Sequence, residues 1–248
     1  MSVCLTLHHF TNPTWFSQKG GWTSRKSPYY FERFVKKIVP EIHQWVDLWI
    51  TLNEPIGLAY DAYGRGKFPP QVKGKITVIK AIWHMAQAHK KAYKVIHQET
   101  IHTQVGIAHN ISSFVPISAH NLRENLSVWF ADLVGNHLIY YLTGIKTHDF
   151  LGINYYYNKY ITLEKDHRIP SLVDITITKK DVSDMGWELR PEGMFNVLMD
   201  MADYKKPIYI TENGIASTND DRRVRFLLSY LKEVYHAIQA GVHVKRVS

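Results

Sequence analysis

Two glutamates in this 248-residue chain each sit beside an asparagine just past a short apolar run: Asn53-Glu54 after residues 46–51, and Glu212-Asn213 after residues 207–211. Two carboxyl groups presented from different elements suit the cleavage of a glycosidic bond. One protonates the leaving oxygen while the other attacks or supports the anomeric carbon. The other apolar runs also end in polar residues. His8-His9 follows residues 3–7, His109-Asn110 follows residues 104–108, and Asn154, Tyr155 and Tyr156 close the run 150–155. Amides and imidazoles can bond ring hydroxyls, and aromatic faces suit flat sugar rings. An aromatic content of 13%, with 7 Trp and 15 Tyr, supplies such faces.

The elements that must position these residues are legible as alternation. The runs 3–7, 46–51, 104–108, 150–155 and 207–211 are nearly continuous in apolar residues, as strands covered on both faces are. Segments of helical period separate them. In residues 76–97, Ile79, Ile82, Trp83, Ala86, Tyr93 and Ile96 recur at spacings of three and four, which predicts one apolar stripe. Helices are also predicted over 27–39, 126–142, 191–204 and 222–239. Alternating βα units imply an α/β fold with parallel strands whose C-terminal ends share one side, where loops from several strands build a site. The length is close to the roughly 250 residues of a (β/α)8 barrel, yet about five βα units and a sixth run at 242–244 are found. No linker or low-complexity tract divides the chain, so residues 1–248 are read as a single domain. Residues 159–184 are irregular and are expected to form a small β excursion or a surface loop. Trp45, Trp49, Trp83 and Trp129 lie on apolar stripes and are expected to pack. Tyr155 and Tyr157 alternate with Tyr156, so at least one of them is expected in the core.

Composition excludes several classes. The 30 Lys+Arg against 22 Asp+Glu give a charge of +8, but the basic residues are scattered pairs such as Lys36-Lys37 and Arg222-Arg223. They read as solvated helix faces, so no nucleic-acid partner is expected. The single Cys4 allows no intrachain disulfide and is expected to be a buried small hydrophobe in a reducing compartment. No apolar stretch approaches the roughly 18 residues needed to span a bilayer, and no signal peptide is visible. A cytoplasmic location without a membrane partner is expected. The side chains of adjacent His8 and His9 diverge in a strand, and no carboxylate or Cys accompanies them at ligand spacing, so neither a metal nor another cofactor is expected.

The motifs resemble those of the family 1 glycoside hydrolases, the β-glucosidase and β-galactosidase type of (β/α)8 TIM barrel. The resemblance rests on Leu7-His8-His9-Phe10, Gly20-Gly21-Trp22, Thr51-Leu52-Asn53-Glu54-Pro55, Gly152-Ile153-Asn154-Tyr155-Tyr156, the segment Gly186-Trp187-Glu188-Leu189-Arg190-Pro191-Glu192-Gly193, and Ile210-Thr211-Glu212-Asn213-Gly214. It implies a retaining β-glycosidase that hydrolyses β-glucosides or related β-glycosides by double displacement. Glu54 would be the general acid/base and Glu212 the nucleophile. Asn53 would sit beside the 2-hydroxyl, and His9 would bind a ring hydroxyl. Tyr156 would hold the nucleophile, and Trp187 would form the aglycone platform. Asn154 belongs to the same substrate-binding set.

The family's pattern also contains two strands before the His-bearing one and an eighth strand, none with a counterpart here. An early sugar-binding Gln, an Arg beside the nucleophile and a late Trp segment are likewise absent, and Phe10 stands where many members have Trp. The expectation is a barrel truncated at both ends, with open sheet edges that favour self-association or a complementary fragment. The alternative function is that of a catalytically inactive barrel fragment acting as a sugar-binding or interaction protein.

Overall fold

The computed structural model describes residues 2–100, 102–161 and 181–247. In chain order these form β1 (Cys4–Thr6), α1 (Thr14–Gln18), α2 (Ser27–Ile42), β2 (Leu48–Asn53), α3 (Pro55–Tyr63), α4 (Lys75–Glu99), β3 (Gln104–Asn110), β4 (Ser113–Pro116), α5 (Leu122–Asp132), α6 (Leu138–Thr143), β5 (Leu151–Asn154), β6 (Asn158–Ile161), α7 (Glu192–Met201), β7 (Ile208–Glu212), α8 (Asp220–Gln239) and β8 (Val244–Val247). The chain falls into two compact units, Met1–Asn110 with Ile139–Gly152, and Ile111–Leu138 with Ile153–Ser248.

In the first unit β1, β2 and β3 pair in parallel, with Cys4 opposite Leu48 and Leu48 opposite Gln104. All six residues of β2 are buried, as the unbroken apolar run predicts for a strand covered on both faces. The pairing of β2 with β3 slips between Ile50 and Asn53. Such irregularities re-aim side chains next to functional sites. Gly106 is required on β3, because a Cβ there would meet the Phe150 carbonyl oxygen at 2.7 Å and its ring at 3.0 Å.

The helices of this unit qualify the periodicity reading. Pro28 sits in the first turn of α2, where its missing N–H is harmless, but the helix continues past Pro40 to Ile42. On α4 the inward face is Ala81, Ile82, Met85, Ala86, Ala88, His89, Ala92, Val95 and Ile96. Ile79 and Trp83 of the expected stripe are exposed instead. The packing role expected of four tryptophans holds for Trp49, which is fully buried, whereas Trp45, Trp83 and Trp129 are 62%, 50% and 63% exposed. Small alanines, not the bulky stripe, let α4 approach the neighbouring strands. Cys4 is exposed, contrary to the buried position expected of it, because β1 is covered on only part of its surface.

In the second unit the end of β5 lies beside β7, where the Tyr155 N–H donates to the Glu212 carbonyl at 3.0 Å. β7 pairs in parallel with β8, and β4 pairs in parallel with β6. The helix expected over 126–142 is interrupted: α5 gives way to a π-turn at Leu133–His137 before α6. Two asparagines cap helices of this unit. Asn121 Oδ1 accepts from the Arg123 N–H at 3.1 Å, and Asn219 Oδ1 accepts from the Arg222 N–H at 3.0 Å. α8 buries Phe226, Tyr230, Val234 and Ala237 and exposes Val224, Leu227, Leu228, Leu231, Tyr235 and Ile238. Of the irregular stretch expected at 159–184, residues 162–180 lie outside the described residues. Beyond it, Val182 and Glu188 form an isolated antiparallel bridge. Among the described residues, no helix is long and apolar enough to cross a membrane.

Candidate functional site

The candidate residues fall in two groups, one in each unit. In the first, His8 and His9 follow the end of β1 at Thr6, and their side chains lie in different surroundings. His8 is buried edge-on against Trp22, with ring centroids 5.1 Å apart, and its Nε2 lies 3.0 Å from Asn12 Oδ1. Burial holds its pKa below the ordinary imidazole value, so His8 belongs to the aromatic packing. His9 is exposed and turns the other way. Its Nε2 lies 3.2 Å from Asn53 Nδ2. This contact ties the segment after β1 to the end of β2 and fixes the amide there.

Glu54 follows immediately, with φ 44° and ψ 55°, in the left-handed region. A non-glycine residue there costs on the order of 1 kcal/mol or more and persists only where its surroundings dictate it. Those surroundings are specific. The Glu54 N–H donates to the Ala108 carbonyl at 2.8 Å, its own carbonyl accepts from the Leu58 N–H at 2.9 Å as α3 begins, and Pro55 fills the first helical position. The backbone thus turns sharply at the carboxylate. Asn110 Nδ2 donates to Glu54 Oε1 at 3.2 Å. Alternation on β3 accounts for that choice of partner, since the neighbouring His109 is fully buried, edge-on to Tyr140 at 5.9 Å.

In the second unit Glu212 ends β7, and Tyr156 Oη donates to its Oε2 at 2.5 Å. Tyr156 is itself held, because its carbonyl accepts from Tyr230 Oη at 3.1 Å, and that hydroxyl accepts from the Arg190 N–H at 3.1 Å. Burial pushes the Tyr230 phenol well up, which keeps it a neutral donor at physiological pH. Asn154 is fully buried, its Oδ1 accepting from Thr211 Oγ1 at 2.6 Å, while Asn213 Nδ2 donates to the Tyr155 carbonyl at 2.7 Å. The amides therefore lace β5 to β7 on either side of Glu212. Trp187 stacks on Tyr157, with centroids 4.8 Å apart and planes 18° from parallel, and stands 5.6 Å from Tyr156. Tyr155 is the core member of the tyrosine run, fully buried and bonded to Asn158 Oδ1 at 2.7 Å.

Three features of these groups have no separate sequence signal. They are the left-handed turn at Glu54, the donation from Asn110 and the stacking of Tyr157 on Trp187. Asn110 was visible in the polar cluster ending the third run, but its partner was not.

Comparison with known proteins places the chain in a family. The family described as Glycosyl hydrolase family 1 matches residues 1–134 and 140–247. A β-galactosidase of Pyrococcus woesei is 28% identical over 98% of this chain and 59% of its own length. Beta-glucosidase A of Acetivibrio thermocellus is 29% identical over 97% of this chain and 63% of its own. The structure of a β-glycosidase from Pyrococcus horikoshii superposes over 100% of this chain and 61% of its own with a TM-score of 0.89 at 29% identity. The chain thus spans about 60% of the length of these relatives, and its α/β architecture corresponds to part of the (β/α)8 barrel. With the family matched over nearly every residue and its motifs standing at the ends of parallel strands, this chain belongs to glycosyl hydrolase family 1.

Proposed function

We propose that the chain carries retaining β-glycosidase chemistry on β-glucosides or related β-glycosides, with Glu212 as nucleophile and Glu54 as general acid/base. The observation that carries this reading is Glu212 at the end of β7 with one carboxylate oxygen bonded by Tyr156 at 2.5 Å. That bond orients the other oxygen for attack on an anomeric carbon. In the first step Glu212 forms a bond to that carbon as the glycosidic C–O bond breaks, and the Glu54 proton goes to the leaving oxygen. In the second, Glu54 takes a proton from water, which displaces Glu212 and releases the sugar. The left-handed backbone at Glu54 and the donation from Asn110 support a carboxyl held in one orientation for both transfers.

His9, Asn53 and Asn154 belong to the substrate-binding set, with His9 and Asn53 on ring hydroxyls of the glycone, and Trp187 takes the aglycone on its aromatic face. The reaction needs no cofactor. The names of the relatives support glucosides and galactosides as the substrate class. A cytoplasmic setting and association through exposed apolar surface, with a second copy or a complementary fragment, complete the reading.

The test is release of nitrophenol from an aryl β-glucoside and an aryl β-galactoside by the purified chain beside Glu212→Ala. The expected outcome is turnover that falls by more than about 1,000-fold in the variant and a regained glycosyl transfer from an α-glycosyl fluoride. Hydrolysis unchanged in Glu212→Ala would overturn the assignment. A folded chain that binds β-glycosides without turnover would be assigned a sugar-binding role instead.

A further inference from the structure

Outside the groups around Glu54 and Glu212, the second unit gathers a different set of side chains. Asp132 closes α5, His137 closes the π-turn that follows, and Asp200 lies on α7. His137 Nε2 stands 3.2 Å from Asp132 Oδ2 and 3.1 Å from Asp200 Oδ2. Ligand atoms from all three lie within 4.8 Å of one another. On the far side of the ring, His137 Nδ1 meets Tyr204 Oη at 2.7 Å. Asp132 is oriented in turn, since its Oδ1 accepts from Asn136 Nδ2 at 2.7 Å.

Two carboxylate oxygens converge on one ring nitrogen. When the imidazole is neutral with its proton on Nδ1 all three groups are acceptors, and a cation among them, a proton on Nε2 or a metal ion, would be bonded by all three. The spacing suits a metal ion. Ligands about 2.0–2.1 Å from a tetrahedral centre are separated by about 3.3 Å, close to the two nitrogen–oxygen distances, and the ligand atoms of the two aspartates lie within 4.8 Å of each other. A Nδ1–H donated to Tyr204 would fix the tautomer that leaves the Nε2 lone pair aimed at the carboxylates, the outer-shell arrangement usual for a ligating histidine. The π-turn makes this convergence, because it shifts His137 out of the register that an uninterrupted helix would give it.

We propose that Asp132, His137 and Asp200 bind one divalent transition-metal ion of the zinc class, with solvent completing the coordination. One nitrogen and two carboxylate oxygens form a mixed donor set suited to Zn²⁺ and Co²⁺. The side chains of His137, Asp132 and Asp200 are 13%, 34% and 42% exposed, so the nitrogen is shielded while the outer carboxylate keeps an open path for the ion and a water. Because the donors come from α5, the π-turn and α7, the ion fastens those elements and stabilises the folded chain in proportion to its occupancy.

The probes are Co²⁺, read by its visible absorption, and Zn²⁺, read by titration calorimetry and by the thermal midpoint of the whole chain. One equivalent is expected to bind and raise the midpoint. His137→Gln and Asp200→Asn are each expected to weaken binding by at least about 10-fold, and Tyr204→Phe by about 10-fold. Asp200 is the most exposed of the three ligands, so its variant tests the site even if the histidine variant fails to fold. Absence of one-equivalent binding, or binding by folded Asp200→Asn indistinguishable from that of the parent chain, would overturn the site and leave a proton as the cation between these groups.

Discussion

Tyr156 and Asn110 each donate to one of the proposed catalytic carboxyls, and each contact can be removed by a single substitution. Tyr156→Phe removes only the hydroxyl that donates to Glu212 Oε2. A hydrogen bond to a charged group contributes about 1.5–3 kcal/mol, so kcat for an aryl β-glucoside is expected to fall about 10- to 100-fold with the thermal midpoint little changed. Steady-state kinetics beside circular dichroism checks both halves of this prediction. Asn110→Ala deletes the donor to Glu54 Oε1. Its loss is expected to be larger for substrates with poor leaving groups, which need full protonation by Glu54, than for activated aryl glycosides. An equal loss on both classes would contradict a role for Asn110 in holding the acid. At this scale the sequence supplied the candidate residues. It did not show how each is held, because Asn110 meets Glu54 and Tyr156 meets Glu212 only across strands far apart in the chain.

At the scale of elements, β2 and β3 are packed from both sides and tolerate little change. Gly106→Ala would drive a methyl group against the Phe150 carbonyl and ring. The overpacking is expected to cost about 1–3 kcal/mol, read as a lower urea midpoint. The contact between α4 and β2 adds a dependence on pH. His89 is fully buried, with Nδ1 at 2.7 Å from Thr51 Oγ1 and Nε2 at 2.8 Å from the Thr147 carbonyl. A carbonyl can only accept, so the ring donates from Nε2, and burial favours the neutral form, whose Nδ1 faces the Thr51 hydroxyl as an acceptor. Burial lowers its pKa to about 4, against the opposing pull of the Thr147 carbonyl. Between pH 6.5 and 4 the unfolded chain binds a proton at this position that the folded chain does not. Stability is therefore expected to fall as the pH drops through that window, by at most about 3 kcal/mol from this residue. His89→Gln should flatten that part of the profile in urea titrations at pH 7 and pH 4.5. The parallel strands and most helices were legible from runs and periods. The π-turn and the inward face of α4 were not, since a period specifies an apolar face without saying which of two apolar sectors a neighbour will cover.

For the whole molecule, the described residues expose many large apolar side chains. α8 presents Val224, Leu227, Leu228, Leu231, Tyr235 and Ile238 to solvent, and α5 presents Leu122, Leu126, Trp129 and Phe130. Exposed apolar surface of this kind favours association. The chain is expected to sediment as a species heavier than 28.9 kDa at micromolar concentration. The paired substitution Leu228→Lys with Leu231→Lys should shift it toward the monomer. Sedimentation velocity decides the matter, and a monomeric parent chain would refute association through α8.

Family, fold class and the identity of the candidate residues were determined by the sequence alone, because motifs and apolar periods are local and survive without any knowledge of contacts. Phe10 illustrates the limit of that information: its identity is plain, but its left-handed backbone, φ 65°, is known only from the folded chain. Tertiary structure alone decided that Glu54 occupies a strained turn with Asn110 on one oxygen, that Tyr156 bonds Glu212, that Cys4 and three of the expected packing tryptophans face solvent, and that Asp132, His137 and Asp200 converge. These outcomes depend on which distant segments share a space. Burial and hydrogen bonding between such segments are settled by the packing of the folded chain, and no local pattern of residue types encodes them singly.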